Sequence, residues 1–454
     1  MTGRETTEPD RERVMDISIV RWSAERGDER VERFLRRPAI SAEAEAVARE
    51  ALAEIREQGD AAVARQVKKY DGVILPPAQF AVTAEERKEA LAAVEPEFKR
   101  QAAETLRRVT QFAQAGLRKD WTVPTPKGGV VGEQFVPLAR VGCYIPAGAA
   151  PLASTALMTV PLARVADVRE IVACSPAGPG GKLDPCLLFC LDLAGATEIY
   201  KIGGIQAIGA MAYGTNTIRK VQKIVGPGGP YVTAAKRLVY GEVDLDMIAG
   251  PSEIAVLADD SAPADFVAAD LLSQAEHGTG HEKVLLVTPS HLLAEAVRDE
   301  LGRQVALLSR RAAVEKVLTD GALLVVVDHL DAGMDLVNQF APEHLEILTQ
   351  EPRRWIRKVR TAGAVFGGVW TPESAGDFAA GPSHVLPTGG TAAIFSGLSA
   401  DSFRRRSSII SLTRADLYDL LPVIEAFGRV ERLDAHARSA RIRFETGWTP
   451  VLKR

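Results

Sequence analysis

The chain has 454 residues, 46% of them apolar, and its 55 Lys and Arg stand against 59 Asp and Glu for a net charge of −4. That length outgrows a single hydrophobic core and calls for about two to four units. The balanced charge leaves no surplus of cations to neutralise phosphates, which argues against a nucleic-acid or anionic-membrane role.

Residues 1–14, beginning MTGRETTEPDRER, are charged and lack the apolar segment of a secretory signal. They read as a disordered extension, with Met15 an alternative start. No uncharged apolar run of about 18 residues follows, so a soluble, cytoplasmic protein is expected. Cys143, Cys174, Cys186 and Cys190 lie in apolar settings without CxxC spacing and read as reduced core residues.

An arm at 15–37 leads into a helical layer from about 40 to 118, where AEAEAVAREALAEIREQGDAAVARQVKKYDG carries apolar residues at helical spacing and stops at Gly72. VVGEQFVPLARVGCYIPAG then alternates with period two and marks a change to strands. REIVACSP, EIYKIGG and KVQKIVGPGG are short β-branched runs, each followed by a helical stretch. Strand, glycine turn and helix in succession signal a parallel doubly wound sheet. A second set follows: SEIAVLAD, KVLLVTP, LLVVVD, HLEILT and GAVFGG, with helices expected at 263–277, 290–307, 330–340 and 352–360. The expected fold is α/β, with two Rossmann-like parallel-sheet domains, one inserted in the other, and helical N- and C-terminal segments. The boundaries predicted are 38–143 with 252–395 for the first domain, 144–251 for the insert and 396–454 for a helical tail.

IGGIQAIG and VGPGGPYV put glycines between a strand and a helix, where free N–H groups favour an anion. Neither is a GxGxxG fingerprint, so tight βα turns and a nucleotide site both remain open. Of the seven histidines, His281, His291 and His329 lie among charged or loop residues and suggest no role. Gln274 and His277 are three apart at the end of a helix with Gly278 as its stop, and so share a face. Asp377 and His384 lie in the loop SAGDFAAGPSHVLPTGG, and Glu431 and His436 in VERLDAHARS. Such N and O donors suit Zn²⁺, although their spacing does not predict a site. Glu343 and His344, in FAPEHLEIL, read by themselves as a polar turn behind Pro342.

AGPSEI, DLLSQAEHG, FAPEHLEI, TPESAGDF, GPSHVLPTGGTA and SGLS, in this order, resemble histidinol dehydrogenase over roughly residues 16 to 446. The resemblance implies a zinc- and NAD-dependent enzyme that oxidises L-histidinol to L-histidine through the aldehyde. It assigns one zinc per subunit to Gln274, His277, Asp377 and His436, and substrate contacts to Ser252, His384 and Glu431 together with His344 and the metal ligands. His344 would act as base for the alcohol and Glu343 for the water that attacks the aldehyde. Tyr144, Gln206 and the turn at Gly229 would contact NAD. A homodimer is implied, its tail completing the partner's site.

The chain departs from the family at Gly229, where an asparagine is usual, at Ala147 and Ala149 in PAGA, and at Ala393. These losses keep open a paralogue acting on another amino or hydroxy alcohol, such as the sulfopropanediol dehydrogenases. APEHLE and AGDF are retained, against that paralogue. A zinc protein without dehydrogenase activity would not need Glu343 and His344.

Overall fold

The computed structural model describes residues 17–37, 41–147, 151–248 and 250–445. The extension expected at 1–14, and Ala149, lie outside the described residues. Among the described residues no helix is long and apolar enough to cross a membrane. In chain order the strands are β1 (Ile19–Arg21), β2 (Trp121–Pro124), β3 (Val130–Pro137), β4 (Arg140–Tyr144), β5 (Glu170–Cys174), β6 (Glu198–Tyr200) and β7 (Lys223–Val225). They continue with β8 (Asp244–Leu245), β9 (Glu253–Ala258), β10 (Lys283–Thr288), β11 (Ala322–Val326), β12 (His344–Leu348), β13 (Ala364–Gly367) and β14 (Arg404–Ser411).

The chain divides into two compact units, residues 1–116 with 138–403 and residues 117–137 with 404–454. The first holds two parallel sheets, ordered β6-β5-β4-β7-β8 and β1-β11-β10-β9-β12-β13. In each, the chain steps outward from a first strand and then returns to its other side, between β4 and β7 in one sheet and between β9 and β12 in the other. These are the reversal points of doubly wound sheets. Alternate residues of β9 feed opposite layers of core, Ile254 and Val256 one and Ala255 and Leu257 the other. Burial on both faces is why these strands read as continuous apolar runs.

Two boundaries differ from the sequence reading. Ala44, Ala48, Leu52 and Ile55 form the buried stripe of helix Ala42–Gln58 and pack with Tyr144, Val172 and Ile208. That helix therefore covers the five-stranded sheet, and β4 enters the sheet at Arg140 rather than at 144. Helix Ala264–Ala275 also stops short of His277. The second unit is not wholly helical: β14 pairs antiparallel with β3, which pairs with β2. Beyond it lie helices Arg414–Val430 and Asp434–Glu445. Asp416 ties this unit together, its carboxylate accepting from the backbone N–H of Thr413, Lys127 and Gly129 at 3.0 Å each.

At the amino edge of the five-stranded sheet Arg140 opens β4 level with Glu170, the first residue of β5, and Glu198 opens β6 on the far side of β5. The Arg140 guanidinium reaches Glu170 at 2.6 Å and Glu198 at 2.5 and 2.8 Å, and the Tyr200 hydroxyl also donates to Glu198 at 2.8 Å. The Arg140 bond, against the opposing effect of burial, pulls the Glu198 carboxyl from 4.5 down to about 2. Its stabilisation is therefore full above about pH 4.5 and is lost as pH falls toward 2. Glu198→Gln should cost about 1 kcal/mol at pH 6 and progressively less toward pH 3. Urea unfolding at both pH values measures this, and an equal cost at both would refute it.

Candidate active site

The segment FAPEHLEIL begins where helix Leu330–Phe340 ends. Ala341 takes a left-handed conformation with φ 48, costly for a residue with a Cβ, and Pro342 then prevents the helix from resuming. His344 starts β12, so its side chain and that of Glu346 share one face while Leu345 and Ile347 enter the opposite core. On the shared face lies helix Ala264–Ala275, and from it the fully buried Gln274 meets His344.

His344 Nδ1 is 2.7 Å from Gln274 Oε1 and 3.2 Å from the Glu253 carbonyl. Both are acceptors, so Nδ1 carries the proton and Nε2 is left as the basic atom. Nε2 faces Asp377 at 3.6 Å and Glu373 at 4.0 Å. Burial disfavours the imidazolium, but Glu343, Asp377 and Glu373 outweigh it and raise His344 to about 9. Glu343 is buried beside it, its Oε2 taking the Glu253 N–H at 3.0 Å, and desolvation raises its carboxyl to about 8. Burial likewise lifts Glu373 to about 7; it would raise Asp377 too, but the nearby imidazoles of His344 and His384 hold that carboxyl well below its usual range.

Protons gathered by a buried acidic cluster are the mark of a place suited to a cation. His344, Glu373 and Asp377 offer ligand atoms within 4.8 Å of one another. Gln274 Nε2, His344 Nε2 and Glu373 Oε1 are buried without a hydrogen-bond partner. The oxygen of Gln274 has a second lone pair beside the one that serves His344, so ligation and positioning are compatible. Of the residues assigned to zinc, Gln274 and Asp377 meet in this cluster, and their oxygen donors suit that ion.

The structure brings together Glu343, His344, Gln274, Asp377 and His384. His384 Nδ1 donates to the Asp377 carbonyl at 3.1 Å, leaving Nε2 to accept from the Thr155 hydroxyl at 3.2 Å. Burial, against the pull of Asp377, lowers the proton affinity of His384, which suits this neutral form. His277 is exposed in the turn that follows helix Ala264–Ala275 and closes on Gly278 at φ 66, and it is near enough to His384 to bear on that imidazole's charge. Ser252, half-buried, precedes β9 and its carbonyl accepts from Lys283 N at 3.1 Å. Glu431 and His436 lie in the second unit, exposed, after helix Arg414–Val430 and in the first turn of Asp434–Glu445.

Sequence reasoning missed several members. Arg37 pairs with buried Glu253 at 2.8 Å, and Asp270 faces Glu346, whose carboxyl burial and this neighbour raise. Ser273 donates to Glu373 at 2.8 Å, and the Glu373 N–H reaches Glu346 at 2.7 Å. Two signals were present: Glu373 and Asp377 are four apart on one short helix, and Asp270 and Gln274 are four apart on another.

The reversal point of the other sheet lies between the carboxyl ends of β4 and β7, the place where open α/β sheets bind ligands. Tyr144 ends β4, and its buried hydroxyl accepts the Gly204 N–H at 3.2 Å. Gln206 Nε2 donates to Asp71 at 3.1 Å. Gly226, at φ 118, passes so close to β4 that a Cβ would stand 2.0 Å from the Tyr144 carbonyl oxygen. Gly229 caps helix Pro230–Val239 without a side-chain bond, and a Cβ there would meet nothing within 4 Å. An uncrowded glycine turn at a helix N-terminus fits a dinucleotide's phosphates. Ala147 is half-buried and Ala393 exposed. Nearby, a cavity of about 900 Å³ is lined by Asp71, Ile74, Gly178, Lys182 and Lys201, among others.

Glycine turns at the carboxyl edge of one parallel sheet and a buried acid–base cluster at the amino edge of the other are what a two-sheet α/β dehydrogenase requires. A sequence model described as histidinol dehydrogenase matches residues 35–444. Histidinol dehydrogenase of Moorella thermoacetica is 45% identical over 425 residues, 94% of this chain and 97% of that protein. That of Geobacillus kaustophilus is 46% identical over 399 residues, 87% and 93% of the two chains. The crystal structure of histidinol dehydrogenase from Elizabethkingia anophelis superposes with a TM-score of 0.90 at 34% identity, covering 94% of this chain and 98% of that one. The chain belongs to the histidinol dehydrogenase family.

One glycine controls how closely β13 can approach the two bases. A Cβ on Gly363 would stand 2.6 Å from the Glu343 carbonyl oxygen, whose neighbour Ala364 donates to it at 2.9 Å. Gly363→Ala should displace the Glu343–His344 pair and lower turnover by about tenfold or more while the circular dichroism spectrum stays native. Steady-state rates unchanged from wild type would show that the pair tolerates the shift.

Proposed function

We propose that the protein oxidises L-histidinol to L-histidine through the aldehyde, in two successive NAD-dependent steps. The observation that carries this reading is the buried pair of adjacent bases, with His344 Nδ1–H held by Gln274 and Glu253 so that Nε2 is directed to the acidic cluster. Gln274, His277, Asp377 and His436 would hold the zinc, one per subunit. Tyr144, Gln206 and the Gly229 turn would contact NAD. When bound, zinc would supply a Lewis-acid anchor for the substrate and NAD⁺ the hydride acceptor.

The chain's own groups then divide the proton chemistry. In its neutral form His344 would take the hydroxyl proton at Nε2 in the first oxidation. In the second, Glu343 takes a proton from the water that adds to the aldehyde carbon, and a carboxylate raised to about 8 is a stronger base than an exposed one. Ser252, His384 and Glu431 would complete the contacts to the substrate. At Gly229 no side chain can bond the cofactor, so backbone N–H groups carry that turn's share of recognition.

Glu431 and His436 are assigned to the partner's site in a two-fold homodimer. Helix Arg414–Val430 supports this, since Leu420, Val423, Phe427 and Val430 recur along it and all are exposed. A stripe of that kind calls for cover by another chain.

The test of the activity is NADH production by purified protein with zinc and L-histidinol, set against a panel of other amino and hydroxy alcohols. Preference for another alcohol would replace the substrate. Glu343→Gln should slow aldehyde oxidation about a hundredfold and alcohol oxidation far less, measured with each substrate separately. Equal losses would end the division of labour. For the dimer, His344→Ala and His436→Ala, each inactive alone, should regain about a quarter of wild-type activity when refolded together, because half the dimers are mixed and each has one intact site. No recovery would place the tail in its own chain's site.

A further inference from the structure

Gln206 lies in the first turn of helix Gly204–Tyr213, just past the carboxyl end of β6, and is 1% exposed. Its partner Asp71 comes from another layer of the fold. Asp71 is the last residue of a π-helical turn, Val67–Asp71, that ends in Gly72 at φ 69. Single π turns recur at functional positions, where the wider coil re-aims a side chain. Here the re-aimed carboxylate accepts from Gln206 Nε2 at 3.1 Å and also lines the cavity of about 900 Å³.

This bond decides which way the amide faces. An ionised carboxylate only accepts, so the amide nitrogen turns toward Asp71 and the oxygen turns away. Gln206 Oε1 accordingly lies over Gly204, where an added Cβ would stand 2.8 Å from it. Gly204, at φ 60, has its N–H held by the Tyr144 hydroxyl at 3.2 Å, so both side chains assigned to the cofactor converge on one glycine. Among the described residues no donor reaches Oε1.

We propose that Asp71 is a positioning residue of the dinucleotide site: through Gln206 Nε2 it presents the carboxamide oxygen to the cofactor, and the cofactor group recognised there is a donor. A ribose hydroxyl or a carboxamide N–H has the required chemistry, and a phosphate oxygen does not. The proposal rests on the reading of Gln206 as a cofactor contact.

Fluorescence titration of the full-length protein with NADH separates the two ideas, with a thermal melt of each variant as the check on folding. Q206A should weaken the Kd about two- to tenfold, the range for one hydrogen bond. D71A should weaken it by a similar factor, and the double variant D71A/Q206A no further than Q206A alone. D71N retains an oxygen that accepts the same amide proton and should bind within about twofold of wild type. D71S, too short to reach Gln206, replaces D71A should the latter not fold. D71N/Q206E exchanges donor and acceptor between the pair and still offers the cofactor an acceptor, so it should bind within about threefold of wild type. A wild-type Kd for Q206A removes the cofactor reading and this proposal with it. A weakened Q206A beside an unaffected D71A, additive losses in the double variant, or a D71N as weak as D71A overturns the role of Asp71 and leaves that reading standing. A D71N/Q206E variant as weak as Q206A overturns the assignment of the oxygen as the recognised atom.

Discussion

Placing ionisable groups on a strand that is buried on both faces is the constraint around which the six-stranded sheet is built. His344 is 2% and Glu346 0% exposed, and either would be untenable there without partners. Their partners come from one helix running antiparallel to the strand, Gln274 to His344 and Asp270 to Glu346. The match is metric: four residues of helix advance about 6 Å, and two residues of strand about 6.6 Å. Two rungs therefore form in register, and the upper one fixes the imidazole's tautomer. The lower rung, with desolvation pushing Glu346 well above its usual range, keeps a shared proton where two full charges could not coexist.

The two sheets share a winding order but use opposite edges. In the six-stranded sheet the crevice at the carboxyl ends of β9 and β12 is closed by Asp259, whose N–H donates to Leu348 O at 3.2 Å and whose carboxylate takes Gln350 N–H and Ser261 N–H at 3.0 Å each. Its amino edge carries Ser252, Glu253, Glu343 and His344. In the five-stranded sheet the amino edge is sealed by Arg140, Glu170 and Glu198, and the carboxyl edge carries the glycine turns. Helix Ala153–Val165 joins the open edges: it follows β4, its Thr155 holds His384, and its Met158 carbonyl accepts from Ser383. The loop that positions Asp377 thus rests on the helix leaving the proposed cofactor strand.

Elements whose pattern reflects their own burial were legible in the sequence. HLEILT, SEIAVLAD and KVLLVTP are strands as expected, and the helix expected at 330–340 is Leu330–Phe340. What escaped has its cause elsewhere. β14, RRRSSIIS, is almost wholly exposed and shows no alternation that a core would impose; it is a strand because β3 lies beside it. β1 is three residues that matter only through β11, far along the chain. The pair Glu343 and His344 could be named by motif, yet its environment could not, because Arg37, Glu253, Asp270 and Glu373 acquire meaning only when four segments meet. His277 stands between the two cases: the helix ends at Ala275, and the turn after it still leaves His277 near His384.

The adjacency of Glu343 and His344 follows from the same geometry. Consecutive residues within a strand point to opposite faces, so two neighbouring strand residues could not serve one site. The pair escapes that rule because only His344 belongs to β12. Glu343 lies in the turn before it, after left-handed Ala341 and Pro342, and there the backbone is free to swing the carboxylate back to within 3.8 Å of His344 Nδ1. Its carbonyl and that of Pro342 are bonded by Ala364 and Gly363 at 2.9 and 3.0 Å, which holds the turn in that one conformation. A residue added between Glu343 and His344 would leave the strand pattern of HLEIL intact and still separate the two bases. The spacing is therefore a demand of the turn, and the strand supplies only the imidazole's face.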